Sequence, residues 1–192
     1  MDFILASKSP RRSALLKDIG LEFDVVVSSV DETSIPKDLP PHIYVQELAI
    51  LKSTHVASTS PKGALVIGAD TVVVSENEII GKPKDFEDAF RMLSSFSGAS
   101  HKVVSGISVT RTDDMTTVSD FCETEVWFSK LTDEEIINYI NKYSPYDKAG
   151  AYGIQEYAGV FVERIDGDFY NVVGLPLSKL YGVLKKEFDV TI

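Results

Sequence analysis

The sequence is poor in cysteine, in histidine and in basic residues, and each scarcity excludes a class of protein. Its one cysteine, Cys122, cannot form a disulfide within the chain, which indicates a reducing compartment. One cysteine and three scattered histidines provide no zinc-type set of ligands. Any bound metal is therefore expected to be a hard cation held by carboxylates, such as Mg²⁺ or Mn²⁺.

Positive charge and long hydrophobic runs are also lacking. The chain has 19 Lys and Arg against 29 Asp and Glu, a net charge of -10 that disfavours nucleic-acid binding. No apolar run approaches the roughly 20 residues of a membrane span. The acidic start, Met1-Asp2-Phe3, is unlike a signal peptide. We therefore expect a cytoplasmic protein that binds neither nucleic acid nor membrane.

What is present is an ordinary globular composition, with 44% hydrophobic and 25% charged residues. The length of 192 residues suits one domain, compact or two-lobed. No repeat, low-complexity tract or linker divides the chain, so we expect a single domain over residues 1–192.

A carboxylate stands inside the most apolar stretch of the chain. The run Leu65–Val74 predicts a strand buried on both faces, yet it contains Asp70, preceded by Gly68. A buried carboxylate is costly unless it is paired, hydrogen-bonded or bound to a metal. The alternative is an Asp that caps a turn at the end of the strand.

A helix start near the N-terminus is unusually basic. Ser9 as N-cap and Pro10 at the first helical position predict a helix that ends at Gly20. Helix N-termini favour acidic side chains, but this one carries Arg11 and Arg12. Free amides, hydroxyls and guanidinium groups together predict an anion site that would suit phosphate. The alternative is a solvated basic turn.

The rest of the chain predicts a mixed α/β fold. The spacing of apolar and polar residues favours further strands, a hairpin at Glu78–Ile80, four more helices and one polar turn. The strands are predicted at 23–27, 102–110, 116–128 and 159–165, and the turn at 168–171. The helices are predicted to follow Pro41, Asp85, Thr132 (through a capping box) and Gly174.

Four further residues have charged side chains that are candidates for catalysis or ligand binding. Glu32 lies just past a predicted strand, Lys52 near an apolar helix stripe, and Lys82 on a loop before a proline. The segment 146–155 places Lys148 among small residues that let a ligand approach the backbone. Cations beside carboxylates are typical of phosphate chemistry. The residues alone thus indicate a metal-assisted phosphate-ester or anhydride hydrolase.

Five motifs, in order along nearly the whole chain, resemble the Maf family of nucleotide pyrophosphatases. They are Ala6-Ser7-Lys8-Ser9-Pro10-Arg11-Arg12, Gly68-Ala69-Asp70-Thr71, Gly81-Lys82-Pro83, Asp147-Lys148-Ala149-Gly150-Ala151-Tyr152-Gly153-Ile154-Gln155 and Asn171-Val172-Val173-Gly174-Leu175-Pro176. The resemblance implies an elongated mixed sheet flanked by helices, similar to the inosine-triphosphate pyrophosphatase fold, with two lobes and a central cleft. It also implies Mg²⁺- or Mn²⁺-dependent cleavage of a nucleoside triphosphate into monophosphate and pyrophosphate.

The resemblance also assigns roles to residues. It makes Asp70 the base that activates water and, with Glu32, a metal ligand. Lys52 and Lys82 act in catalysis, where they hold the triphosphate. The substrate-binding residues are Ser7, Arg11, Arg12, Thr71, Lys148 and Gln155. By analogy with the family, a homodimer is an open alternative.

The form Ala-Tyr-Gly-Ile-Gln resembles the branch of the family that acts on dTTP and UTP. The Gln155 amide can both donate to and accept from a pyrimidine edge. The sequence departs from the family pattern where Ser53 and Thr54 follow Lys52 and where Glu156 follows Gln155. The second departure leaves the exact nucleotide, including a modified pyrimidine, open.

Two other functions remain as alternatives. One is a nucleotide-binding regulator of cell division with weak or no catalysis, a role to which the family has been tied. The other is a phosphomonoesterase, which would release orthophosphate instead of pyrophosphate.

Overall fold

The structure is a computed structural model that describes residues 2–192. Seven strands form a mixed sheet flanked by helices, in the order β2-β1-β3-β5-β6-β7 with β4 beside β3. The strands are β1 (Asp2–Leu5), β2 (Asp24–Val25), β3 (Ala64–Ser75), β4 (Glu78–Ile80), β5 (Ser100–Arg111), β6 (Thr117–Phe128) and β7 (Val162–Asp166). β1 is parallel to both β2 and β3, whereas β4 runs antiparallel to β3, and β7 to β6. The predicted mixed α/β fold is confirmed.

Six α-helices accompany the sheet. They are α1 (Pro10–Asp18), α2 (Pro41–Thr59), α3 (Phe86–Phe96), α4 (Asp133–Tyr143), α5 (Phe169–Val173) and α6 (Leu177–Glu187). Short 3-10 helices occupy Glu32–Ser34, Pro145–Asp147, Ala149–Ala151 and Tyr157–Phe161. Within residues 2–192, none of the helices has both the length and the apolar character that crossing a membrane requires.

Several predicted helix and hairpin boundaries are confirmed. β3 and β4 form the predicted hairpin, with Ser75 opposite Glu78. The Asp85 carboxylate accepts from the backbone N–H of Asp88 and caps α3. Thr132 and Glu135 form the reciprocal capping box at the start of α4. In each case a local side-chain hydrogen bond decides where the element begins.

Other boundaries were predicted wrongly. The strand predicted at 23–27 shrinks to β2, because within the described residues 2–192 β2 pairs with β1 alone, and the register ends at Leu5 opposite Val25. β7 begins later than predicted, since residues 157–161 form a 3-10 helix. Residues 169–171 belong to α5, where Asp168 accepts from the backbone N–H of Tyr170.

The start of α1 also differs in detail. The helix begins at Pro10 as predicted, but the Ser9 side chain makes no capping hydrogen bond within residues 2–192. The backbone N–H of Ser9 instead donates to Ser7 Oγ at 3.2 Å. The Ser7 hydroxyl therefore supports the loop that leads into the helix.

The chain divides into two compact units. The first comprises residues 1–71, 105–122 and 174–192, and the second comprises residues 72–104 and 123–173. In the first unit, a cluster of buried aliphatic side chains joins α2 to β1 and β3. Its members are Ile4, Ala6, Val56, Ala57, Ala64 and Val66. That residues 1–192 form one domain, and that a cleft lies between two lobes, stay predictions.

The core of the second unit is aromatic. Helices α3 and α4 contribute Phe96 and Tyr139 to a cluster that also contains Phe128, Tyr152 and Phe161. His101 is buried among these rings, stacked on Phe96 with a centroid distance of 4.2 Å. Its Nε2 atom lies 2.7 Å from the hydroxyl of Tyr152. Burial lowers the pKa of His101 to about 4, so the imidazole is neutral at pH 7.

This buried histidine predicts a loss of stability in acid. Between pH 6.5 and 4 the unfolded chain binds a proton at His101 that the folded chain does not bind. The stabilisation is fully present above pH 6.5 and falls as the pH falls, by about 3 kcal/mol in total. We expect His101→Gln to flatten the dependence of the urea midpoint on pH between 7 and 4.5. His55→Gln, at a partly exposed histidine, should keep the wild-type slope; equal slopes in both variants would refute the prediction.

Candidate active site

Asp70 lies at the centre of a group of charged side chains in the first unit. Lys52, from α2, places its Nζ atom 2.6 Å from Asp70 Oδ1 and 3.0 Å from Glu32 Oε1. The Asp70 side chain is 15% exposed and that of Lys52 12%, whereas that of Glu32 is 54% exposed. One ammonium group thus pairs with two carboxylates, and the cost of placing Asp70 in an apolar strand is offset.

The spacing along β3 explains how Lys52 reaches Asp70. Residues two apart in a strand share a face, so Gly68 and Asp70 both face α2. A Cβ atom on Gly68 would lie 2.3 Å from the carbonyl oxygen of Ala49 and 3.0 Å from Ser53. The glycine therefore lets the helix backbone approach the strand closely, one helical turn from Lys52.

We expect Gly68→Ala to destabilise the protein by about 1–3 kcal/mol, because the added methyl group would meet backbone that has to move. Urea denaturation measures this loss. Gly182→Ala is the matched control, since nothing lies within 4 Å of a Cβ at this position in α6. Alanine favours a helix over glycine, so the control should be neutral or slightly stabilising. Equal midpoints for the two variants would refute the close-packing explanation.

The serine after Lys52 is also explained by packing. Ser53 is fully buried, and its hydroxyl lies 2.9 Å from both Ser108 Oγ and Thr110 Oγ1 of β5. The departure from the small residues expected there is therefore compensated by partners on the neighbouring strand. These hydrogen bonds fix α2, and with it Lys52, against the sheet.

Two other features surround the carboxylates. The Asp31 carboxylate accepts from the backbone N–H and hydroxyl of Thr33, which caps the 3-10 helix containing Glu32 and lowers the pKa of Asp31. Tyr44 of α2 is buried, and both burial and the negative charges of Asp70 and Glu32 raise the pKa of its phenol. The Tyr44 hydroxyl is therefore a neutral donor at pH 7.

Arg12 connects three separate parts of the first unit. Its Nε donates to the carbonyl of Gly174 at 2.8 Å, and Nη2 donates to Thr71 Oγ1 at 3.1 Å. Its Nη1 donates to Ser7 Oγ at 3.2 Å and to the carbonyl of Ala69 at 3.0 Å. Burial lowers the pKa of Arg12, an effect that the nearby charge of Asp70 opposes.

The hydrogen-bond inventory of Arg12 limits what it can offer a ligand. A guanidinium has five N–H groups, and four of those of Arg12 donate to acceptors within residues 2–192. One Nη2 N–H is left over. That Arg12 binds the triphosphate stays a prediction, and the remaining Nη2 N–H is the group with which it would do so while it holds the surrounding backbone in place.

The remaining predicted site residues of the second unit are arranged differently. Lys148 is buried, and its Nζ lies 2.8 Å from Asp147 Oδ1 and 3.3 Å from Glu156 Oε2. Glu156, the residue that departs from the family pattern, is thus a partner of this lysine. Lys82 and Gln155 are exposed on their loops.

The structure allows a test of the predicted metal site. Within residues 2–192, no three or more His, Cys, Asp or Glu side chains form a group suited to a metal ion. Glu32 and Asp70 nevertheless converge on one cation, the Lys52 ammonium. Mg²⁺ commonly binds through one or two carboxylates and completes its shell with water and substrate phosphates. The donor set therefore fits a divalent ion of that kind.

A family model described as "Maf-like protein" matches residues 2–187 of the chain. The chain belongs to the Maf family. Among curated relatives, this Maf-family chain is 53% identical over 190 residues to a dTTP/UTP pyrophosphatase of Thermoanaerobacter sp. (strain X514), covering 99% of this chain and 98% of the relative. It is 51% identical over 192 residues to a dTTP/UTP pyrophosphatase of Clostridium perfringens (strain SM101 / Type A), covering 100% of both.

Among solved structures, a HAM1 protein from Coxiella burnetii is similar with a TM-score of 0.52 and 16% sequence identity. The match covers 97% of this chain and 99% of that one, so it supports the fold of this Maf-family chain as a whole. At this identity, the likeness concerns the fold alone.

The structure brings most of the predicted site residues of the first unit together. Arg12 joins Ser7 to Thr71, and the neighbouring Asp70 pairs with Lys52 and Glu32. Arg11 is partly buried on α1, while Lys82, Lys148 and Gln155 belong to the second unit. Sequence reasoning missed Tyr44 and Ser105, which lies 2.8 Å from Thr71. The sequence could have indicated Ser105, because it is a small polar residue within a largely apolar predicted strand.

Proposed function

We propose that this protein hydrolyses dTTP and UTP to the nucleoside monophosphate and pyrophosphate. The observation that carries the proposal is the pairing of Asp70 with Lys52 and Glu32, in a chain 53% identical to a dTTP/UTP pyrophosphatase. The pairing leaves the Asp70 side chain 15% exposed, and its second oxygen is the one proposed to meet the attacking water. A poised carboxylate beside cations is what water attack on a phosphoanhydride requires.

In the proposed reaction, a carboxylate oxygen of Asp70 takes a proton from water as the water oxygen attacks the α-phosphorus. The bond between the α-phosphorus and the bridging oxygen of the β-phosphate breaks, and pyrophosphate leaves. Lys52 holds the other oxygen of Asp70, at 2.6 Å, and so fixes the orientation of the carboxylate. A base must lie within hydrogen-bond reach of the water that it deprotonates.

Positive charge stabilises the departing oxygens. The N-terminus of α1, with the free N–H of Arg12 and the hydroxyl of Ser7, is suited to phosphate oxygens. Lys52 and Lys82 are proposed to contact the same triphosphate, and Lys148 to bind substrate, as the resemblance to the family implies. Such contacts act on charge that develops as the leaving group departs.

Nucleotide choice is proposed to rest on Gln155, with Arg11 and Thr71 contributing. An amide side chain can pair with both the carbonyl and the N–H on the edge of thymine or uracil. The exposure of Gln155 is consistent with a group that meets a ligand. Glu156, held by Lys148 at 3.3 Å, follows it directly and restrains the loop.

Glu32 and Asp70 are proposed to hold a divalent cation, Mg²⁺ or Mn²⁺, together with substrate phosphates. When bound, such an ion neutralises charge on the phosphate oxygens. Lys52, whose ammonium pairs with both carboxylates, would then contact the triphosphate, as the resemblance to the family implies.

The test is turnover of a panel of nucleoside triphosphates, with Mg²⁺ and with Mn²⁺, in which monophosphate, pyrophosphate and orthophosphate are resolved. Pyrophosphate released preferentially from dTTP and UTP is the expected result. Preference for a purine would contradict the role given to Gln155. Orthophosphate as the first product would favour a phosphomonoesterase, and no release from any nucleotide would favour a nucleotide-binding regulator.

A further inference from the structure

The hydroxyl of Thr71 lies among three polar groups of the first unit. Its Oγ1 atom is 3.1 Å from Arg12 Nη2, 2.8 Å from Ser105 Oγ and 3.2 Å from the carbonyl oxygen of Gly174. Ser105, on β5, is fully buried. The distances to Ser105 and Arg12 are typical of hydrogen bonds, whereas the 3.2 Å distance to the Gly174 carbonyl is longer than the usual range of about 2.5–3.0 Å for a hydroxyl donor.

The donors and acceptors in this group constrain one another. A hydroxyl donates one proton and accepts two hydrogen bonds. Arg12 can only donate and the Gly174 carbonyl can only accept, so Thr71 accepts from Arg12 and donates its proton to Gly174. Either hydroxyl can donate in the remaining contact, between Thr71 and Ser105, and Thr71 keeps all three contacts as hydrogen bonds when Ser105 is the donor.

We propose that Ser105 is a positioning residue that donates its proton to Thr71 and thereby directs the one proton of Thr71 to the carbonyl of Gly174. Arg12 donates to the same carbonyl at 2.8 Å, so Thr71, Arg12 and Gly174 form a closed arrangement that Ser105 completes. Burial of Ser105 excludes water that could replace its hydroxyl.

The arrangement changes how Thr71 can influence the choice of nucleotide, a consequence that rests on the proposed function. With its proton on Gly174 and both lone pairs occupied, the Thr71 hydroxyl has no hydrogen bond left for a base. Thr71 therefore acts on substrate choice through the positions of Arg12 and the Gly174 backbone. A residue behind it, Ser105, then matters for specificity although it need not touch the substrate.

The test compares Ser105→Ala and Thr71→Val, singly and combined, by the ratio of kcat/KM for dTTP to that for dCTP. These substrates differ in the hydrogen-bonding groups of the base. We expect both single variants to shift the ratio in the same direction, by about 2- to 10-fold, the range for one net hydrogen bond. The double variant should match Thr71→Val, because both changes disrupt one arrangement.

Ser108→Ala is the matched control. Ser108 is also fully buried on β5, but its hydroxyl bonds to Ser53 instead of Thr71. The control should lose comparable stability and keep the wild-type ratio. A wild-type ratio in Ser105→Ala beside a changed ratio in Thr71→Val would overturn the proposal, because it would mean that Thr71 contacts the base directly.

A second measurement does not depend on turnover. Three-bond couplings to the Thr71 methyl carbon report its side-chain rotamer by NMR. We expect a single rotamer in the wild type and in Ser108→Ala, and rotamer averaging in Ser105→Ala. An unchanged rotamer in Ser105→Ala would refute the role of Ser105. If the wild-type protein released no pyrophosphate, the proposed function would fail, and the couplings would still decide what Ser105 does.

Discussion

Replacing Asp70 by Asn is expected to lower the turnover of dTTP by about 10²- to 10⁴-fold, the usual contribution of a general base. The amide has the size of the carboxylate but cannot take a proton from water. Measured without divalent metal, affinity for a non-hydrolysable dTTP analogue should stay at or above the wild-type value, because the substitution removes a negative charge and one of the two carboxylates that pair with the Lys52 ammonium. Steady-state kinetics and calorimetric titration separate the two effects.

Asp120→Asn provides the control for the Asp70 experiment. Asp120 also forms an ion pair with a lysine in the first unit, with Lys179 Nζ at 3.0 Å, and it has no role in the proposed reaction. Turnover in this variant should equal that of the wild type. Near-normal turnover in Asp70→Asn would remove Asp70 from the role of base.

Replacing Arg12 is expected to have the largest effect on stability. Arg12→Ala removes four hydrogen bonds and leaves the carbonyls of Ala69 and Gly174 without their charged donor. Bonds to charged groups contribute roughly 1.5–3 kcal/mol each, although such contributions are not additive. We therefore expect a loss of about 3–5 kcal/mol in the free energy of unfolding.

Arg12→Lys should recover little of this loss, because an ammonium group cannot reproduce the planar set of donors. Arg91→Ala is the control. Arg91 is largely exposed, and within residues 2–192 its ion-pair partner is Asp88 alone. Exposed ion pairs contribute at most about 1 kcal/mol, so this variant should lose little stability. Urea midpoints measure all three variants. If Arg12→Ala retained the wild-type midpoint, Arg12 would be a ligand-binding residue and not a structural one.

Local rules predicted much of the fold. Strand β3, the hairpin to β4, and the caps Asp85 and Thr132 depend on residues close in sequence, and they were predicted correctly. The failures occur where distant partners decide. The length of β2 is set by the end of β1, and α5 depends on Asp168, whose backbone bonds to Thr124 of β6.

The site shows the same division. The motifs identified Asp70, Lys52 and Arg12, because charged residues within apolar or helix-start contexts are conspicuous in a sequence. Neither the bonding of Arg12 to Gly174 nor that of Ser105 to Thr71 was foreseeable, since the partners are 162 and 34 positions apart. Residue type predicts that a group needs a partner, and only the fold determines which one it has.

The most direct test of the account is hydrolysis of dTTP in water enriched in ¹⁸O, followed by mass spectrometry of both products. The account places water attack at the α-phosphorus, so one ¹⁸O atom should appear in thymidine monophosphate and none in the pyrophosphate. Label found in the pyrophosphate would show attack at the β-phosphorus, and it would contradict the proposed positions of water and leaving group around Asp70.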